Sequence, residues 1–129
     1  MSLYKILNNA YIIENFNECI FQLKLVDDKE SLRKGLMFQD HIDRNHGMLF
    51  DFGEMKFNRL WMKNTKIPLD AVFMDNNYII VGFVKNMTPY SLNTYGIDKK
   101  SRFIAEINQG EIDKCNLKIG DKLQFNLSN

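Results

Sequence analysis

A polar knot interrupts an apolar stretch of the chain: Leu60-Trp61-Met62-Lys63-Asn64-Thr65-Lys66-Ile67-Pro68-Leu69-Asp70. It holds the single Trp and one of the two prolines. A strand has no use for Lys63, Asn64 and Thr65 in its middle, so the pattern predicts a turn presenting these side chains at one place. An ammonium beside amide and hydroxyl donors suits a carboxylate, a phosphate or sugar hydroxyls. Trp61 can add a stacking face for a sugar ring or a cation. The competing reading is local. Asn64 and Thr65 can satisfy backbone groups of the turn itself, and Trp61 can be core.

Other chemistries are poorly served. The two histidines, His41 and His46, fall in a polar loop and read as solvated. No Ser occupies a nucleophile-elbow pattern. Cys19 sits in an apolar, strand-like run, and Cys115 has no His near it in sequence. Without a CxxC or Cys/His spacing, the two cysteines read as free buried thiols, with a single bond between them as the alternative. Met37, Met48, Met55, Met62 and Met74 each lie in an apolar run and form no MxxM or Met/His cluster. They read as core filler rather than thioether ligands for Cu(I). Neither a metal nor a cofactor is expected.

A chain of 129 residues reads as one domain over 1–129, with 1–18 a weakly structured lead-in. That length can bury a core without staples. A net charge of +1 gives no field for holding a polyanion, which disfavours nucleic acid as a partner. No run approaches the ~18 apolar residues of a membrane span. The first residues lack a basic segment followed by an apolar one, so the chain as given reads as soluble and mature. Met1-Ser2-Leu3 can equally stand where a leader was removed.

The elements that must position the polar knot are short. Strands are expected over 19–26, 48–52, around 60–62, and over 69–74, 78–84, 102–107 and 122–127. Asp27 and Glu30 form a capping-box pattern for a helix that Gly35 ends. A second short helix or turn is expected over 110–116, and a long loop over 85–100. Asp75-Asn76-Asn77 is hairpin-turn chemistry. With no helix long enough for repeated crossovers, the pattern predicts a mainly β fold: an antiparallel sandwich or partly closed barrel with one or two short helices.

Four segments, in order, carry a family resemblance. They are Gly35-Leu36-Met37 with Arg33 upstream; Gly47-Met48-Leu49-Phe50 with Phe52; Trp61-Met62-Lys63-Asn64-Thr65 through Ile67-Pro68-Leu69-Asp70; and Glu106, Gly110 and Gly120-Asp121. Together they resemble the DUF192 family, also called UPF0127, over roughly Leu25 to Phe125. The resemblance implies a small jelly-roll-like β fold and relatives that are often exported or membrane-anchored bacterial proteins. It implies no established activity, cofactor or substrate. Relatives commonly carry a basic residue just after the Gly-Leu-Met-Phe block, where this chain has Gln39.

The matched segments offer Arg33, Trp61, Lys63, Asn64, Thr65, Asp70 and Glu106 as candidate ligand-binding residues. The favoured function is a non-enzymatic binding or accessory module for a small polar or anionic ligand or a partner segment. The alternative is a hydrolase-type enzyme on an envelope saccharide or similar polar substrate, with Asp70 and Glu106 as acid and base. A third reading is a purely structural partner-binding domain, using loop 85–100. In the structural case Arg33 would pair with Glu106 or Asp70 as a salt bridge. The location is left open: the chain reads as soluble as given, and the resemblance is compatible with an exported or periplasmic one.

Overall fold

All six residues of Leu69–Met74 (β4) are buried. Side chains of a strand alternate between two faces, so a strand buried throughout must be covered on both sides. The computed structural model, which describes residues 11–14 and 19–126, shows how. β4 lies within a sheet made with Tyr11–Glu14 (β1), Ile20–Val26 (β2), His46–Lys56 (β3), Ile80–Met87 (β5), Ser101–Asn108 (β6) and Gln124–Asn126 (β7). The strand order is β5-β4-β6-β3-β2-β1-β7. Two short helices complete the fold, Lys29–Lys34 (α1) and Glu111–Lys114 (α2). The fold is mainly β with two short helices, as expected. It is one sheet, not closed into a barrel, whose far ends meet at the isolated bridge Ile79–Lys122.

The sheet is mixed, which differs from the antiparallel expectation. β2 and β3 run parallel, with Leu25 opposite Leu49. The connection between them carries α1, and this one crossover is long enough to return the chain to the end where β2 began, even with a six-residue helix. The remaining strand pairs are antiparallel. α1 is capped by Asp28 rather than Asp27; its carboxylate accepts from the Ser31 N–H at 2.8 Å. The helix ends at Gly35, whose φ is positive at +49°, and the Gly35 N–H donates to the Ser31 carbonyl.

Alternation divides the core in two. Leu23, Leu25, Leu49, Val72, Phe103, Ala105 and Ile107 face one side, with Ile112, Cys115 and Leu117 over them. Met48, Phe50, Leu69, Ala71, Phe73 and Ile104 face the other. The second face is roofed by Leu32 of α1, by Leu36 just after it, and by the connections 57–68 and 88–100. These two connections zip together. Leu60 and Tyr95 exchange backbone hydrogen bonds at 2.8 and 2.7 Å, and the Tyr90 N–H reaches the Thr65 carbonyl at 3.1 Å.

Three further expectations change. Residues 60–62 make a single bridge rather than a strand, because their partner is the loop residue Tyr95. β5 runs on to Met87, shortening the expected loop at its start. Cys19 and Cys115 are not free thiols: they form a disulfide, 96 residues apart in sequence, with Cα atoms 5.6 Å apart. The local sequence around either residue gives no sign of the pairing. It follows from topology, which sets the end of α2 against the start of β2 in the first core. The expected lead-in over 1–18 is described only at β1.

Candidate functional site

Glu106 stands on β6, between β4 and β3. It is opposite Ala71 on one neighbour and Met48 on the other. By alternation it shares the face of Ile104 and Phe50, an apolar face. It is 4% exposed. Among the described residues no hydrogen bond or ion pair reaches its carboxyl group. Burial alone pushes its pKa up from 4.5 to about 8, because a charge there would lose its water without gaining a partner. At neutral pH the group is therefore mostly a neutral acid, with an O–H to donate.

The carboxyl group lines a cavity of about 300 Å³. Two structural features make that space. Ala71, the smallest residue on its side of β4, stands beside Glu106. Gly35 ends α1 directly above: a Cβ there would lie 3.1 Å from the Phe50 ring and 3.5 Å from Glu106 Oε1, on a backbone φ that L side chains rarely adopt. On the opposite face of the sheet, Gly47 lets β3 pass close to β6, since a Cβ there would sit 2.2 Å from the Glu106 carbonyl oxygen and against Leu23 and Ile107. Phe50, Phe52 and Trp61 give the cavity aromatic walls, with Leu32 from α1 and Leu36 from the segment after it. Arg33, Lys34 and Arg59 stand around it. These three residues are exposed, so their charges stay in water at the rim. Arg59 is held there by Thr94, donating from Nε to Oγ1 at 2.8 Å.

The other sequence candidates are distributed around this cavity. Trp61 is 37% exposed and lines it, while its neighbours Leu60 and Met62 take the core positions. Lys63 and Asn64 bound a second concavity of about 260 Å³, which shares Arg33, Lys34 and Met37 with the first. Lys63 Nζ lies 5.1 Å from the centre of the Trp61 ring. Asn64 takes a left-handed φ of +54° in the expected turn. Thr65 is buried and donates from Oγ1 to the Lys63 carbonyl at 3.0 Å, a local role. Gln39 is exposed and stands outside the main cavity.

Asp70 is elsewhere. It alternates with Ala71, so it points to the opposite face from Glu106. It is 1% exposed and fully engaged. Its Oδ1 accepts from the Asn86 N–H at 2.9 Å; Oδ2 accepts from the N–H groups of Gly110 at 3.0 Å and Ile112 at 3.2 Å. Asp70 thus ties β4 to β5 and to the start of α2. Arg33 pairs with neither acid among the described residues.

Sequence reasoning missed Lys34, Arg59, Phe50 and Phe52 as cavity residues. Phe50 and Phe52 lie in a matched segment but read as ordinary strand core. Arg59 directly precedes the Trp61 block, yet nothing in its local pattern separates it from the other basic residues. His41 is an exposed loop residue, while His46, expected in the loop, is the exposed first residue of β3; Met48, Met62 and Met74 are buried core. No group of three or more metal-ligating side chains occurs among the described residues. No helix among them is long and apolar enough to cross a membrane.

Comparison with known proteins agrees with this architecture. A "putative transcription regulator" of Sinorhizobium meliloti 1021 superposes with a TM-score of 0.85 at 28% identity, covering 90% of this chain and 93% of that one. A protein of unknown function from Novosphingobium aromaticivorans DSM 12444 superposes with a TM-score of 0.82 at 26% identity, covering 89% and 83%. No curated protein matches the sequence significantly. The model of the DUF192 family, described as an uncharacterized ACR, matches residues 12–125. The chain belongs to the DUF192 family.

Proposed function

We propose that this domain is a binding module for a small polar or anionic ligand, taken up in the cavity over Glu106. The observation that carries the reading is the buried, unpartnered carboxyl group of Glu106 facing an open cavity. Buried polar groups are ordinarily hydrogen-bonded, and one left open toward a cavity awaits a partner. As a neutral acid it offers one O–H donor to a ligand oxygen. Phe50, Phe52 and Trp61 offer apolar faces to the ligand's body, and Arg33, Lys34 and Arg59 favour negative charge at the mouth. The cavity volume suits a ligand of metabolite size.

Hydrolysis by paired carboxylates is less well supported. Glu106 is the one carboxylate on the cavity wall among the described residues, and Asp70 is committed to backbone groups on the other face. The regulator designation of the Sinorhizobium meliloti protein stays with that protein. With a net charge of +1, nucleic acid is not the ligand favoured here. The Cys19–Cys115 bond supports an oxidising compartment, in line with export.

Titration of benzyl alcohol, a flat body with one oxygen acceptor, into 15N-labelled protein at pH 6.5 tests the reading. The amides of Gly35, Phe50 and Phe52 shift together and saturate, and Glu106→Ala weakens the binding. Shifts confined to other regions, or none, would overturn it.

A further inference from the structure

The second concavity extends the first. It is bounded by Lys63 and Asn64 from the polar turn and by Glu30 and Phe38 on either side of Gly35. It shares Arg33, Lys34 and Met37 with the cavity over Glu106. The two spaces differ in chemistry. The floor of the first is a neutral acid among aromatic and aliphatic walls. The second gathers three cations, Arg33, Lys34 and Lys63, against one carboxylate, Glu30. None of the three cations forms an ion pair with an acid among the described residues. Lys63 also reaches back toward the first space, resting over the ring of Trp61, which lines it.

An oxyanion placed among Arg33, Lys34 and Lys63 would gain charge-assisted hydrogen bonds, with the Asn64 side chain alongside as a neutral partner. The same anion seated over Glu106 would gain only the donor there and lose its water to apolar walls. We propose that the ligand is a two-part molecule. Its uncharged body lies over Glu106, and a single carboxylate or phosphate group lies between Arg33, Lys34 and Lys63. This inference rests on the binding reading above and adds where the charge sits. It also gives the polar turn a role beyond its own backbone: Lys63 and Asn64 read the anionic end while Trp61 walls the uncharged one.

Four probes separate the parts: benzyl phosphate, phenylacetate, benzyl alcohol and inorganic phosphate, each titrated into 15N-labelled protein. The first two report whether phosphate or carboxylate is preferred. At least one of them is expected to shift Gly35 and Phe50 together with Lys63 and Asn64 in one saturable event. It should bind about tenfold or more tightly than benzyl alcohol or inorganic phosphate. In Lys63→Ala its affinity falls toward that of benzyl alcohol while the Gly35 and Phe50 shifts persist. If both two-part probes bind no more tightly than benzyl alcohol, and Gly35 and Phe50 still shift, the two-part ligand is wrong and the cavity reading stands. If inorganic phosphate alone binds as well as benzyl phosphate, the body plays no part and the inference is again wrong. If no probe moves Gly35 or Phe50, the cavity reading falls with it.

Discussion

Asp70 and Glu106 are buried acids on adjacent strands, one residue out of register and on opposite faces of the same sheet. Asp70 accepts three backbone N–H groups from two separate segments. Glu106 has no partner among the described residues and opens on a cavity. The first face is built for stability: Asp70 anchors α2, and the Cys19–Cys115 bond staples the end of α2 to the start of β2. The second face leaves a polar group unsatisfied, which costs stability and is retained most readily where a ligand completes the site. Equal burial therefore does not mean an equal role. What separates the two acids is the supply of hydrogen-bond partners.

The largest effects are expected on the first face. Cys19→Ser should cost ~2–5 kcal/mol, because the bond closes a long loop in the unfolded chain. Guanidinium unfolding measures this, and reducing agent should reproduce it in the unmutated protein. Asp70→Ala should cost about 3 kcal/mol by stranding the N–H groups of Asn86, Gly110 and Ile112. Asp70→Asn should cost less, since the amide oxygen keeps part of the set. Either change should leave a Glu106-dependent ligand shift detectable in the folded fraction.

On the second face the prediction changes sign. The folded pKa of Glu106 is raised to about 8, so between about pH 4.5 and 8 the native state holds a proton that the unfolded chain has released. Stability contributed by this group is full below the unfolded value and falls as pH rises through that window, by a few kcal/mol. Glu106→Gln should remove the slope. It should be nearly neutral at pH 5 and stabilising at pH 8–9, as read from denaturation midpoints at each pH. A destabilising Glu106→Gln at pH 8–9 would erase the contrast with Asp70.

The smallest effects belong to the rim. Trp61 is 37% exposed, so Trp61→Ala should cost only about 1 kcal/mol while weakening benzyl alcohol binding. A loss of ~3–5 kcal/mol would mean that Trp61 acts as core after all. Lys63→Ala should change stability by less than about 0.5 kcal/mol, in keeping with an exposed side chain.

Much of the fold was legible in the residues. The hairpin of β4 and β5 announced itself through the apolar run at Leu69–Met74, the Asp75-Asn76-Asn77 turn and the β-rich run after it. The polar turn and the local bond of Thr65 followed from residue type. The parallel β2–β3 pair did not, because strand direction is set by where the crossover lands rather than by either strand's sequence. The disulfide was hidden for the same reason: two cysteines far apart in sequence look alike whether or not the fold joins them. Glu106 and Asp70 were both visible as candidates, but their faces were not. That depended on the register of β4 against β6, which turns one acid toward backbone donors and the other toward a cavity.

The central claim is that Glu106 is a neutral, unpartnered acid on the floor of an open cavity. A 13C NMR titration of its side-chain carboxyl group, assigned by comparison with Glu106→Gln, tests it most directly. A midpoint of about 8 is expected in the unliganded protein. A midpoint near 4.5, the ordinary value for the group, would show that the carboxylate is solvated or already paired, and that Glu106 is not a neutral acid open to the cavity.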